Sequence, residues 1–207
     1  MLLEKYKNKV KPNFNIKEKK GESYDKHKII FFKKIFNYMF FVTGRMLEKF
    51  FPNLMVDRVQ DIDLDLLKKN NIKGLILDID NTLVASHVKE ADDNAIEWIE
   101  RAKSSGFKVC IVSNASRKRV VKFNEKLKLF AIYRALKPGS RAYKKAARLM
   151  DVGLDEAAVI GDQIFTDVYG GNRIGMYTIL VKPIHRRESI LVMLKRYPEK
   201  LVLSKYT

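Results

Sequence analysis

Short apolar runs that end abruptly in polar residues punctuate the chain at Gly74 to Leu77, Val109 to Val112 and Ala157 to Gly161. Runs of four or five apolar residues, too short for helices, are what parallel strands covered on both faces require. Longer stretches between them carry apolar residues at helical spacing. The pattern predicts strands over Lys73 to Asp78, Lys108 to Ser113, Ala131 to Arg134, Ala157 to Gly161 and Tyr177 to Val181. It predicts helices over Ala91 to Ser104, Ser116 to Leu127, Ser140 to Met150, Thr166 to Ile174 and Glu188 to Tyr197, and a short edge strand around Met55 to Val59. Such alternation gives an α/β fold with a doubly wound parallel sheet. There is no internal repeat, low-complexity tract or Walker-type glycine loop.

The residues that end the apolar runs bring in the chemistry. In GLILDIDNTLV, Gly74 to Val84, the run opens onto Asp78, Asp80 and Thr82 at alternate positions. In an open α/β sheet the carboxyl edge is where ligands bind. Two neighbouring carboxylates repel each other, and a divalent cation lets both stay ionised. Magnesium is the natural candidate, because it takes oxygen ligands and is usually held by one or two carboxylates together with substrate phosphate. The same four residues, Asp78 to Asn81, also read as a plain polar turn. KVCIVSN ends in Ser113 and Asn114, ALKPGS places Lys137 before Pro138, and AVIGDQIFTD carries Asp162 and Asp167. Taken singly, Ser113 reads as a helix N-cap, Lys137 as a solvated lysine and Asp162 as a turn residue. It is their order on successive strand ends that marks a site.

Those four segments resemble the haloacid dehalogenase-like (HAD) hydrolases, whose motifs are an Asp-x-Asp-x-Thr box, a strand-end Ser or Thr, a Lys and a Gly-Asp acidic box. The resemblance covers roughly Asp57 to Pro183. DIDNTLV, IVSN, Lys-Pro and GDQIFTD look most like the YqeG-type branch of the subclass IIIA phosphatases, which is similar to mitochondrial and plastid phosphatidylglycerophosphate phosphatases. The resemblance implies a HAD-like, Rossmann-like fold and a role for each residue. Asp78 would be the nucleophile forming an aspartyl-phosphate, and Asp80 the general acid and then base. Thr82 would hold the loop through a hydroxyl bonded to backbone. Ser113 and the Asn114 amide would donate to phosphoryl oxygens, and Lys137 would neutralise the nucleophile and the phosphoryl group. Asp78, the backbone carbonyl of Asp80 and Asp162 would hold Mg2+, with Asp167 orienting Asp162 or Lys137.

Spacing limits what surrounds the site. Thirty-two residues separate Asp80 from Ser113 and 23 separate Ser113 from Lys137, so one crossover helix fills each interval and no inserted cap domain fits. An uncapped site favours a phosphate carried on something large, such as a lipid headgroup, a nucleic acid end or a protein.

Length and charge then divide the chain. Its 207 residues, 46% hydrophobic, suffice for one core of about 150 residues and a tail. The formal net charge is +17, and the first 50 residues hold 13 basic and 5 acidic side chains. Residues 1–26 read as a disordered basic tail, 27–50 as an amphipathic helical arm and 51–207 as the phosphatase domain. KIIFFKKIFNYMFFV, Lys28 to Val42, clusters Lys33, Lys34 and Asn37 on one side of a helical projection. It is too short and charged to span a bilayer. It suits an interfacial helix facing anionic headgroups, or an added core element packed on the domain. No cleavage site follows the apolar run, which argues against a signal peptide. The basic excess also suits a Lys-rich, Asn-rich genome. Arg186, Arg187, Lys195 and Arg196 flank apolar positions Ile190, Leu191, Leu194 and Tyr197, a closing helix. His87 and His185 read as surface residues. The single Cys110, inside a strand, fits a reducing cytoplasm.

The leading expectation is therefore a magnesium-dependent phosphomonoesterase acting on phosphatidylglycerophosphate, cytoplasmic or peripheral on the inner face of the membrane. Two alternatives stand beside it. One is a phosphatase of soluble sugar phosphates or nucleotides. The other is a basic RNA- or ribosome-associated scaffold motivated by charge alone, for which no aromatic RNA-binding signature is present.

Overall fold

The computed structural model describes residues 48–185. The expected tail, most of the expected arm and the expected closing helix from Glu188 to Tyr197 lie outside those residues. Six strands, β1 (Leu54–Val56), β2 (Gly74–Leu77), β3 (Lys108–Val112), β4 (Phe130–Ile132), β5 (Ala157–Gly161) and β6 (Tyr177–Val181), form one parallel sheet in the order β1-β6-β5-β2-β3-β4. The helices are α1 (Leu64–Lys69), α2 (Asp93–Ser104), α3 (Arg117–Phe123), α4 (Ser140–Met150) and α5 (Tyr169–Asn172). From β2 the chain runs outward to β3 and β4, then returns past β2 to β5 and β6. The sheet therefore reverses its winding at β2, the switch point where α/β sheets open a crevice.

Period-2 alternation explains the two cores. Leu75 and Leu77 of β2, Val109 and Ile111 of β3 and Ala158 and Ile160 of β5 join Trp98, Ile99 and Ala102 of α2 on one face. Ile76, Cys110, Val112, Ala157 and Val159 join Tyr143, Ala146, Ala147 and Met150 of α4 on the other. Both faces being covered, the central strands are apolar throughout, as their sequence requires. Between β2 and β3 the chain holds a loop and α2, with no inserted domain.

Several boundaries differ from expectation. The Asp92 carboxylate accepts from the Ala95 amide at 2.8 Å, so α2 begins two residues later than Ala91. Ser116 caps α3, and that helix stops at Phe123 because the Asn124 side chain closes a loop on both backbone groups of Leu129. Arg134 adopts a φ of 47° and ends the region of β4 short of its predicted limit. The helix expected over Thr166 to Ile174 is a single π-helical turn, Ile164–Val168, followed by α5. Helix α1, capped by the Asp63 carboxylate, was not expected at all. Among the described residues no helix is long and apolar enough to cross a membrane.

Candidate active site

Because all six strands are parallel, the polar residues that follow β2, β3, β4 and β5 all arrive at one edge. Asp78 continues β2 through its amide, which donates to the Ile160 carbonyl at 3.0 Å. The chain then folds into a tight loop: the amides of Thr82 and Leu83 return to the Ile79 carbonyl and Asn81 takes a φ of 63°. Thr82, expected to bond backbone, instead directs its hydroxyl at Asp162 Oδ1, 3.4 Å away, because the loop brings it beneath the end of β5.

Lys137 sits at the centre, fully buried. Its Nζ donates to Asp78 Oδ1 and to Asp167 Oδ1, both at 2.7 Å. The other oxygen of Asp167 accepts from the Gln163 amide at 3.3 Å and the Thr166 hydroxyl at 3.2 Å, so the π-helical turn fixes that carboxylate on all sides. Gly161 is required here: a Cβ at that position would stand 2.2 Å from Asp167 Cγ. The Tyr143 hydroxyl donates to the Thr166 carbonyl at 3.0 Å from below. Burial, reinforced by the Asp167 charge, raises the Tyr143 pKa and keeps it a donor.

Asp78, Asp162 and Asp167 are all buried, with one carboxylate oxygen of each lying within 4.8 Å of the others. Three carboxylates face one ammonium, a deficit of positive charge in a dry site. The consequence is visible at Asp78: burial pushes its pKa up from 3.8 to about 6, opposed by Lys137 and reinforced by Asp167. Burial alone would lower Lys137, but the Asp167 and Asp78 charges outweigh it and hold the ammonium. A cluster of hard oxygen donors with unbalanced negative charge is the donor set a divalent metal takes. Asp167 belongs to this group as well as to the Lys137 pair, whereas the side chain of Asp80 does not.

Asp80 lies two residues beyond Asp78 in quite different surroundings. Arg119 of α3 donates to its Oδ1 from Nη2 at 2.8 Å and from Nε at 3.2 Å. The same guanidinium donates to the Lys89 carbonyl at 2.9 Å and lies 5.5 Å above the Phe123 ring. Sequence reasoning missed Arg119. The signal available was the first turn of α3, Arg117-Lys118-Arg119, three cations with no acid where the helix dipole favours negative charge.

Ser113 is buried; its Oγ accepts from the Ala115 amide at 3.2 Å, leaving its hydrogen to donate. Asn114 was expected to offer its amide to a phosphoryl oxygen. One of its two N–H groups is engaged elsewhere: Nδ2 donates to the Lys137 carbonyl at 3.3 Å, and Oδ1 accepts from the Lys137 amide at 2.8 Å. Asn114 thus clamps the backbone that delivers the lysine. His87 and His185 meet edge to face, 5.4 Å between ring centres, outside the carboxylate group. A hollow between Lys68, Lys73 and Phe107 lies at the amino edge of the sheet, away from these residues.

The arrangement provides an ionisable oxygen nucleophile, an ammonium beside it, a hydroxyl donor and a separately held carboxylate, the parts phosphoryl transfer requires. The chain is similar to several known proteins. The "Probable phosphatase YqeG" of Bacillus subtilis is 43% identical over 160 residues, covering 77% of this chain and 93% of that protein. Phosphatidylglycerophosphate phosphatase 1, chloroplastic/mitochondrial, of Arabidopsis thaliana is 27% identical over 153 residues, 69% of this chain and 43% of that protein. Among solved structures, the cobalt-bound deoxy-D-mannose-octulosonate 8-phosphate phosphatase of Haemophilus influenzae aligns with a TM-score of 0.47 at 16% identity, over 66% of this chain and 90% of that one. The family model described as "Mitochondrial PGP phosphatase" matches residues 39–185, and the chain belongs to that family.

Proposed function

We propose that this HAD-type phosphatase hydrolyses a phosphomonoester through an aspartyl-phosphate on Asp78, with Mg2+ as its metal and phosphatidylglycerophosphate as its substrate. The observation that carries the reaction is the buried Lys137, bonded to Asp78 and Asp167 with Asp162 adjoining. Asp78, Asp162 and Asp167 supply the carboxylates for the metal, whose charge offsets theirs and that of the phosphoryl group.

Within that reading each residue has one task. Asp78 attacks phosphorus in line, forming the carboxylate–phosphorus bond as the ester bond breaks. Asp80 gives its proton to the departing alkoxide, and then, as a carboxylate, takes a proton from the water that cleaves the acyl phosphate. Lys137 keeps Asp78 ionised and has one N–H left for a phosphoryl oxygen, and the Ser113 hydroxyl serves a second. Asn114 and Thr82 fix the loops that carry these groups. Arg119 holds Asp80 away from the metal carboxylates.

The substrate assignment is supported by the family and by the absence, among the described residues, of a domain inserted between the strands that carry the site. It is tested by phosphate release from phosphatidylglycerophosphate in mixed micelles, with magnesium and with chelator, beside a panel of sugar phosphates and nucleotides. Magnesium-dependent turnover selective for the lipid is expected. Turnover confined to the soluble panel would discard the lipid, and chelator-resistant turnover would discard the metal.

A further inference from the structure

Leu136 is 82% exposed and adopts a φ of 55°, a left-handed backbone that a leucine rarely takes. It immediately precedes Lys137, so the conformation that buries the lysine turns the leucine outward at the mouth of the site. Tyr133, on the same loop, and Ile184, whose amide donates to the Asn81 carbonyl of the Asp78–Val84 loop at 3.1 Å, are also exposed apolar residues. Basic side chains accompany them. Arg134 and Ala135 are zipped to the loop after β3 by bonds from their amides to the Ala115 and Ser113 carbonyls, at 3.0 and 3.1 Å, which sets Arg134 beside the start of α3 with Arg117 and Lys118. Those three cations are exposed and form no ion pair among the described residues. The nearby acids are engaged: Asp80 with Arg119, and Glu90 with Lys122 and Lys126.

Resting on the lipid-substrate reading, we infer that this rim, with Leu136 at its tip and Arg117, Lys118 and Arg134 beside it, docks the open site onto an anionic lipid surface. Apolar side chains enter the interface while arginine and lysine meet the headgroups, the complementarity such surfaces select. The bilayer then closes a mouth that no inserted domain among the described residues covers. A phosphomonoester projecting from the surface reaches Asp78 without leaving the membrane.

A tryptophan at position 136 tests this directly. The chain's single tryptophan, Trp98, is buried and gives a constant background. In the full-length Leu136→Trp variant, vesicles of phosphatidylcholine with phosphatidylglycerol should shift the added emission to the blue and shield it from acrylamide, whereas pure phosphatidylcholine should not. Reading position 136 separates this rim from any binding by residues 27–42. Leu136→Asn, which suits a positive φ, and Arg134→Gln should each weaken docking about fivefold, on the scale of one basic residue at such a surface. Both should leave hydrolysis of a soluble aryl phosphate within about twofold. A tryptophan that stays fully quenchable on anionic vesicles overturns the docking face. So does a Leu136→Asn variant that binds anionic vesicles as tightly as the wild type. Turnover of a micellar lipid phosphate with an unshifted tryptophan defeats the docking face alone. A shifted tryptophan without any lipid turnover supports the face and defeats the substrate reading.

Discussion

The two edges of this sheet use the same charged groups to opposite ends. At the amino edge Lys73 pairs with Glu156 and Lys108 with Asp151, all on the surface. At the carboxyl edge Lys137 pairs with Asp78 and Asp167, and none of the three side chains is more than 7% exposed. Exposed pairs contribute about 0–1 kcal/mol, since water already solvates each partner. Buried charges must be held by their partners, and here the carboxylates outnumber the ammonium. The fold therefore places its electrostatic cost at one edge, where a dication and a phosphoryl group can use it.

Replacing the nucleophile separates activity from stability most widely. Asp78→Asn should lower steady-state phosphate release on the order of 10^4-fold or more, yet raise the melting temperature of the metal-free protein at pH 7 because one of three crowded carboxylates is gone. Turnover near the wild-type level would end the covalent mechanism. A lower melting temperature would mean that the three carboxylates are not in excess.

Removing the lysine should do the reverse. Lys137→Met leaves Asp78 and Asp167 buried without their cation and should cost about 3–5 kcal/mol in denaturant unfolding. Lys73→Met at the other edge should cost about 1 kcal/mol or less. Equal losses would erase the distinction between the edges.

Protonation offers a third way in. The folded state raises Asp78 from 3.8 to about 6, so the native protein holds this proton more tightly than the unfolded chain does. Its contribution without metal is therefore most favourable below pH 4 and is lost as pH rises towards and past 6, by roughly 3 kcal/mol. Unfolding midpoints of wild type and Asp78→Asn, compared from pH 4 to 7 in chelator, should diverge over that window in favour of the variant. Parallel curves would remove Asp78 as the source.

A smaller effect belongs to Arg119. Arg119→Ala should reduce kcat about 10–100-fold, at or below the lower end of general acid–base contributions, with little change in KM, since the guanidinium acts through Asp80. Arg119→Lys should restore part of the loss but not the two-donor grip. A rise in KM alone would make Arg119 a substrate ligand instead.

The fold was largely legible because burial on both faces forces unbroken apolar strands. β5 and β6 have the predicted limits, and β2 and β3 differ only at their terminal polar residues, Lys73, Asp78 and Ser113. Asp78, Ser113, Lys137 and Asp162 could be placed at one edge of the sheet because strand ends are fixed by the same pattern. What the sequence hid depends on side chains meeting across the chain. Asn114 sits 23 residues from the lysine backbone it clamps, and Arg119 sits 39 residues from Asp80. The π-helical turn was hidden for a related reason: its shape follows from how tightly Gly161 lets Asp167 approach, and from Gly170 and Gly171 accepting Tyr143 and Thr178 where a Cβ would come within 2.6 Å of either.

The smallest effect sharpens the contrast from the inert side. Lys73 Nζ donates to Glu156 Oε1, and Glu156 also accepts from the Gly153 amide at 3.0 Å. The Lys73 bond, with that amide, lowers the Glu156 pKa, but the carboxylate stays in contact with solvent. A double-mutant cycle with Lys73→Met and Glu156→Gln should give a small coupling that shrinks in high salt, with phosphatase activity unchanged in all four proteins. A coupling as large as the loss in Lys137→Met, and insensitive to salt, would mean that the amino edge is as dependent on its charges as the site is, and burial would no longer explain the difference between the edges.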